Sequence, residues 1–334
     1  MTAMWMVRGG GGRLYDIFRE RGVVGIGWRE IAAKAKPGAT RKELIEAYRE
    51  AVPGLKDSSA VSGASQVYRF VNEVHDADLV VTYSPTSRTY LVGTFTGTSE
   101  YHPEWEDDNL LLARKVDWCP REVSRDSLTP STRNSLGSVL TVFRLPDAAR
   151  NELAALARNE AVVISPPDDA DEDQADPLTN LESIEAEAFE RIKDRVRGLS
   201  WIDMQELVAG VLRAMGYKTQ VSPPGSDRGR DILASPDGFG FAQPRITVEV
   251  KHRSEKIGSD QVRSFLGGRH AGDRGLYVST GGFTNEARYE ADRANVPLML
   301  WTLDEVTRAL LDNYADADLA TRRLLPLRTF HVPA

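Results

Sequence analysis

The chain has 334 residues, enough for two domains, with 27% charged side chains and a formal charge of −7. A single cysteine, Cys119, excludes a disulfide framework and a cysteine-based zinc site, and the five histidines (His75, His102, His252, His270, His331) lack metal-ligand spacing. No apolar run reaches the length of a membrane span and the start lacks the layout of a signal peptide, so the expected location is cytoplasmic, with no membrane partner.

Taken in chain order, residues 4–8 (Met-Trp-Met-Val-Arg) read as a first strand, 14–21 as a helix and 23–28 as a buried strand ending in Trp28. The run of glycines from Gly9 to Gly12 is not followed by Gly-Lys-Ser/Thr, so it reads as a turn, not a phosphate-binding loop. Helices are expected at 40–51 and about 65–73. Alternating apolar residues then predict a hairpin, 78–83 and 89–95, around Ser84-Pro85-Thr86-Ser87, and a further strand over 110–118. The expected N-terminal domain, residues 1–160, is β-rich with inserted helices.

The middle of the chain carries the acidity. Residues 1–150 hold 20 basic and 19 acidic side chains, 151–200 hold 5 and 13, and 201–334 hold 17 and 17. The run Pro166-Pro167-Asp168-Asp169-Ala170-Asp171-Glu172-Asp173 repels itself and reads as a linker. Residues 178–196 follow as a connecting helix or a dimerisation element, completing an acidic segment over 161–197. Neither flanking domain is a general nucleic-acid binder by charge, so any targeting to DNA rests on a specific feature of the substrate.

A helix over 201–217 closing at Gly216, strands at 218–221, 231–234 and around Glu249, then alternating helices and strands to 303 and beyond predict a mixed sheet flanked by helices over 198–315. Residues 316–334, with Arg322, Arg323 and Arg328, read as a tail. Asp231 opens one strand of a hairpin whose loop is 236–240, and Thr247-Val248-Glu249-Val250-Lys251 forms the other. Side chains alternate along a strand, so Glu249 and Lys251 share a face while the valines point to the core. Pairing brings Asp231 towards Glu249, and two close carboxylates suit Mg²⁺ (or Mn²⁺), with Lys251 orienting water or stabilising developing charge. A solvated ion pair is the alternative for the Glu-x-Lys tripeptide alone.

The stretch LVAGVLRAMGYKTQVSPPGSDRGRDILAS, ITVEVKHRSEKIGSDQVRSFLGG and GLYVSTGGFTNEARYEA resembles the catalytic domain of Mrr-type restriction endonucleases, in the PD-(D/E)xK superfamily, over about 199–312. The resemblance implies that Asp231 and Glu249 are metal ligands and Lys251 the catalytic lysine, with Glu206 and Gln261 as secondary catalytic candidates. Many relatives carry Gln where this chain has Glu249. Asp227 is read as a turn residue before an extra acid, and His252 and Arg253 as phosphate contacts or surface residues alike.

Less specifically, the Met-Trp-x-x-Arg strand, the Gly25-Ile26-Gly27-Trp28 strand, Asp78-x-Val-Val-x-Tyr83, a Tyr-x-x-Gly strand and Arg114-Lys115-Val116-Asp117-Trp118 resemble the PUA-like superfamily, which includes readers of modified bases. That resemblance implies a pocket for a flipped base. Trp28, Tyr83, Trp105 and Arg8 are the candidates, with Tyr90, Tyr101 and Trp118 as further aromatics and core packing as the open alternative. The combined expectation is an α/β and α+β chain of two domains acting as a Mg²⁺-dependent, type IV-like restriction endonuclease. It would act on double-stranded, 5-methylcytosine-type modified DNA as a homodimer. The alternatives are a modified-DNA binding protein with a silent nuclease, and a structure-specific DNA or RNA nuclease.

Overall fold

The computed structural model describes residues 2–138, 140–161, 181–223, 231–269 and 272–329. It divides into two compact units, residues 1–188 and 189–334, the boundary falling within one helix.

The first unit runs β1 (Met4–Val7), α1 (Tyr15–Arg21), β2 (Val23–Ile26), α2 (Arg41–Ala51), α3 (Asp57–Tyr68), β3 (Leu79–Ser84), β4 (Thr89–Tyr101), β5 (Leu112–Trp118), β6 (Val123–Ser124), α4 (Pro130–Ser135), β7 (Val142–Arg144) and α5 (Asp147–Ala157). The sheet order is β2-β5-β4-β3-β1-β7, with β6 beside β4. β1 and β3 are parallel, and the other pairs are antiparallel. Period-two alternation explains why β1 is buried on both faces. Trp5 and Val7 enter one core with Phe18, Val80 and Phe95, while Met4 and Met6 enter another with Val81, Tyr83 and Val92. Asp78 ties the start of β1 to β3, accepting from Ala3 N–H at 2.9 Å and Trp5 Nε1 at 3.0 Å.

The third helix begins eight residues before the expected start at 65, and residues 69–73 continue it as a π-turn. Its opening turns, Asp57-Ser-Ser-Ala-Val-Ser-Gly-Ala, lack bulky apolar periodicity and fold through tertiary contact. At Gly63 a Cβ would stand 2.7 Å from Tyr48 and 2.8 Å from Trp28, so glycine lets those rings lie on the helix.

The chain continues with α6 (Leu181–Arg197), α7 (Trp201–Ala214), β8 (Lys218–Val221), β9 (Ile232–Ser235), β10 (Arg245–Lys251), α8 (Ser259–Gly267), β11 (Asp273–Ser279), α9 (Asn285–Asp292), β12 (Leu298–Trp301), α10 (Leu303–Asp312) and α11 (Leu319–Leu324). The second sheet has the order β12-β11-β10-β9-β8, parallel from β12 to β10 and antiparallel from β10 to β8. Val248, Val250, Leu276 and Val278 face α7 and α10, whereas Tyr277 faces α8 and α9 through Val262, Phe265 and Ala287. Gly216 follows α7 with φ 94°, the left-handed conformation that ends the helix. Residues after Asp316, expected as a tail, form α11 and join this core through Leu324, Leu325 and Leu327. No helix among the described residues is long and apolar enough to cross a membrane.

Candidate active site

The β9–β10 pairing decides where the two acids meet. Its register sets Ile246 against Ala234, Thr247 against Leu233 and Val248 against Ile232, so the next pair in sequence is Glu249 against Asp231. Asp231 N–H donates to Val248 O at 2.9 Å, and its Oδ2 accepts from Val250 N–H at 2.6 Å. The side chain thus caps the strand pair where it opens. Asp231 and Glu249 are 6% and 8% exposed, a burial that carboxylates accept only with compensating donors or a cation.

Lys251 Nζ lies 2.7 Å from Glu249 Oε1, and Tyr277 OH donates to the same oxygen at 3.5 Å. Tyr277 stands beside Glu249 in the parallel β10–β11 register, and Phe265 and Phe283 hold its ring at centroid distances of 5.0 Å and 5.8 Å. Burial first, and then the charge of Glu249, push the Tyr277 phenol above its ordinary range, so it stays protonated and able to donate. Both contacts fall on Oε1; Oε2 receives no hydrogen bond or ion pair among the described residues. Asp231 and Glu249 are hard oxygen donors on one sheet face, a set that fits Mg²⁺ completed by water and phosphate oxygens. No cluster of three metal-ligating side chains occurs among the described residues, and Asp227 lies outside them.

No hydrogen bond or ion pair joins the two secondary candidates to this cluster among the described residues. Glu206 is on α7, which covers the Val248–Val250 face, opposite to the one bearing Glu249 and Lys251, and it is paired with Arg213 at 2.7 Å. Gln261 is on the catalytic side, yet its Oε1 accepts from Gly258 N–H at 2.8 Å and caps α8. Tyr277 went unremarked in the sequence because nothing local announces that β11 will lie in register with β10.

In the first unit the four reader candidates fall in two places. Trp28, just past β2, is half-buried with φ 54°, a strained conformation for a bulky residue. Trp105, also half-buried, stacks on His102 with centroids 4.0 Å apart, and Arg21 lies 4.9 Å from its ring. Their loops are joined by the Arg29–Glu106 ion pair at 2.9 Å. Tyr83 is buried in the other core, against Tyr90 at 4.6 Å and Arg125 at 5.6 Å. Arg8 donates to Ser138 O at 2.5 Å and to Leu136 O, and burial lowers its guanidinium below the ordinary value.

Residues 196–310 match the family model described as a restriction endonuclease (Mrr_cat). The chain carries a restriction endonuclease domain. Residues 5–146 match a domain of unknown function (DUF8426). A curated relative, the uncharacterized protein y4cE of Sinorhizobium fredii, is 31% identical over 114 residues, covering 33% of this chain and 29% of that protein. Among solved structures, the chain is similar to the MspJI restriction endonuclease in complex with a 27-mer oligonucleotide, at 15% identity and a TM-score of 0.32, over 96% of this chain and 70% of that one. It is likewise similar to the DNA modification-dependent restriction endonuclease AspBHI, at 14% identity and a TM-score of 0.32, over 90% and 78%.

Proposed function

We propose that this protein is a modification-dependent DNA endonuclease of type IV-like character, hydrolysing phosphodiesters on the Asp231–Glu249–Lys251 face of its second unit. The observation that carries the reading is the register placing Asp231 opposite Glu249, with Lys251 bonded to Glu249, inside the restriction endonuclease domain. Asp231 and Glu249 would hold Mg²⁺ or Mn²⁺, which when bound polarises the scissile phosphate and lowers the pKa of water. Lys251 orients the nucleophilic water and offsets charge developing on phosphate, and Tyr277 holds Glu249 in a fixed rotamer.

Targeting is assigned to the first unit. Its near balance of 20 basic and 19 acidic side chains over residues 1–150 does not supply bulk attraction to DNA, so affinity comes from a local feature such as a modified cytosine. Trp28 and Trp105, on loops joined by an ion pair, are the better-placed aromatics for stacking a base. Cutting both strands of a duplex needs two catalytic faces, which a homodimer supplies.

The test is incubation with Mg²⁺ and matched plasmids, one unmodified and one carrying 5-methylcytosine, beside the Asp231→Ala variant. Cleavage confined to the modified plasmid and lost in the variant is the expected result. Equal cleavage of both plasmids would sink the targeting, and undiminished cleavage by the variant would sink the site.

A further inference from the structure

Just beyond the lysine, the structure separates two neighbours with equal claims from sequence. His252 is committed: Nε2 lies 2.9 Å from Leu199 O and Nδ1 lies 3.2 Å from Thr280 Oγ1. Arg253 is equally fixed in its backbone. Its N–H donates to Thr280 Oγ1 at 3.1 Å, and its carbonyl accepts from Arg197 Nη1 at 3.2 Å and from the Thr280 hydroxyl at 3.1 Å. Thr280 N–H in turn donates to Lys251 O at 3.1 Å, so this loop is pinned against the end of β11 beside the catalytic lysine.

The side chain of Arg253 is treated differently from its backbone. Its Nε is buried with no hydrogen-bond partner, and the guanidinium makes no ion pair among the described residues. Its charge is felt at the Tyr277 hydroxyl, where it opposes the larger effects of burial and of Glu249. Buried polar groups in folded proteins are almost always paired, and a guanidinium's fork of donors matches phosphate oxygens. A fixed backbone, a cation with donors unspent and a place two residues past Lys251 together describe a group waiting for an anion.

We propose that Arg253 is a phosphate-binding residue whose guanidinium takes a non-bridging oxygen of the DNA strand being cut. The assignment rests on the nuclease reading above and adds a group that grips substrate in the same face. The backbone clamp by Thr280 and Arg197 spares the ligand the cost of ordering that segment.

The test uses the full chain with Arg253→Met and Arg253→Lys. Cleavage is followed in Mg²⁺ under single turnover, and binding of a fluorescent 5-methylcytosine duplex without divalent metal is titrated against salt. The Met variant is expected to cut on the order of 10²-fold more slowly. Its slope of log Kd against log salt should fall by about 0.9, the loss of one phosphate contact. Its Tm should hold or rise, because no intramolecular bond of the side chain is removed. Lys should restore the salt slope but only part of the rate, since an ammonium lacks the fork. Wild-type rate and slope in the Met variant would overturn the proposal, as would a fallen Tm with unchanged binding. If the wild type cuts no DNA, the nuclease reading fails separately, and an unchanged salt slope then overturns the Arg253 assignment too.

Discussion

Arg114 in the first unit is 3% exposed and spends its guanidinium on three backbone carbonyls, those of Phe70, Val71 and Gly97. Arg253 in the second unit has a buried Nε that is bonded to nothing. The surfaces differ in the same direction. Among the described residues, Tyr101 is the sole large apolar side chain exposed in the first unit, while the second exposes Trp201, Tyr289, Met299 and Leu319, and Phe239 and Phe241 at 72% and 87%. An arginine satisfied by carbonyls builds a fold, and an arginine with donors in reserve is available to a ligand. The contrast lies in the guanidinium as a whole: Arg8 in the first unit also buries an unbonded Nε but spends its Nη groups on Leu136 O and Ser138 O, whereas the Arg253 side chain makes no hydrogen bond or ion pair among the described residues.

The comparison breaks most visibly at the catalytic face. Lys251→Met should reduce cleavage on the order of 10³-fold and also lower Tm, because it leaves the largely buried Glu249 carboxylate with the Tyr277 hydroxyl as its remaining partner among the described residues. Retained cleavage would remove Lys251 from the chemistry. Arg114→Met should act on the fold alone, lowering stability by about 3 kcal/mol in denaturant unfolding as two buried carbonyls and a part-buried one lose their donor. Unchanged stability there would erase the contrast with Arg253.

A smaller effect is expected at the proposed reader. Trp105→Leu should reduce the preference for modified over unmodified duplex about tenfold in a gel-shift titration, the size of one lost stacking contact. An unaffected preference would leave Trp105 as packing on His102. The smallest concerns α11. Burial alone would raise the Asp318 carboxyl, but Thr321 and Arg213 outweigh it and hold it at about 2. A folded value below the unfolded one means the unfolded chain binds the proton more readily. The stabilisation is therefore present above about pH 4 and lost as pH falls through 2. Asp318→Asn should flatten the acid side of the urea-midpoint profile, and an identical profile would show that Asp318 does not anchor α11.

Much of this was legible before folding. The hairpin 78–95, the strands around Asp231 and Glu249 and the helix ending at Gly216 are written in period-two and helical patterns with turn residues between them. Strand alternation alone placed Glu249 and Lys251 on one face. The start of α3 was hidden, because a Ser, Gly and Ala run has no apolar period and owes its helix to the rings packed on Gly63. Residues after Asp316 looked like a tail because α11 is only six residues long and is fixed by docking on α7, where Thr321 meets Gly210.

What the sequence by itself determined is local: which residues form strands and turns, and that two acids and a lysine lie within one hairpin. Only the tertiary structure decided that Tyr277 stands beside Glu249, that Glu206 lies across the sheet from it, and that His252 is spent while Arg253 is not. Those outcomes depend on the β10–β11 register and on which helix covers which face, and both are set by contacts between segments distant in the chain.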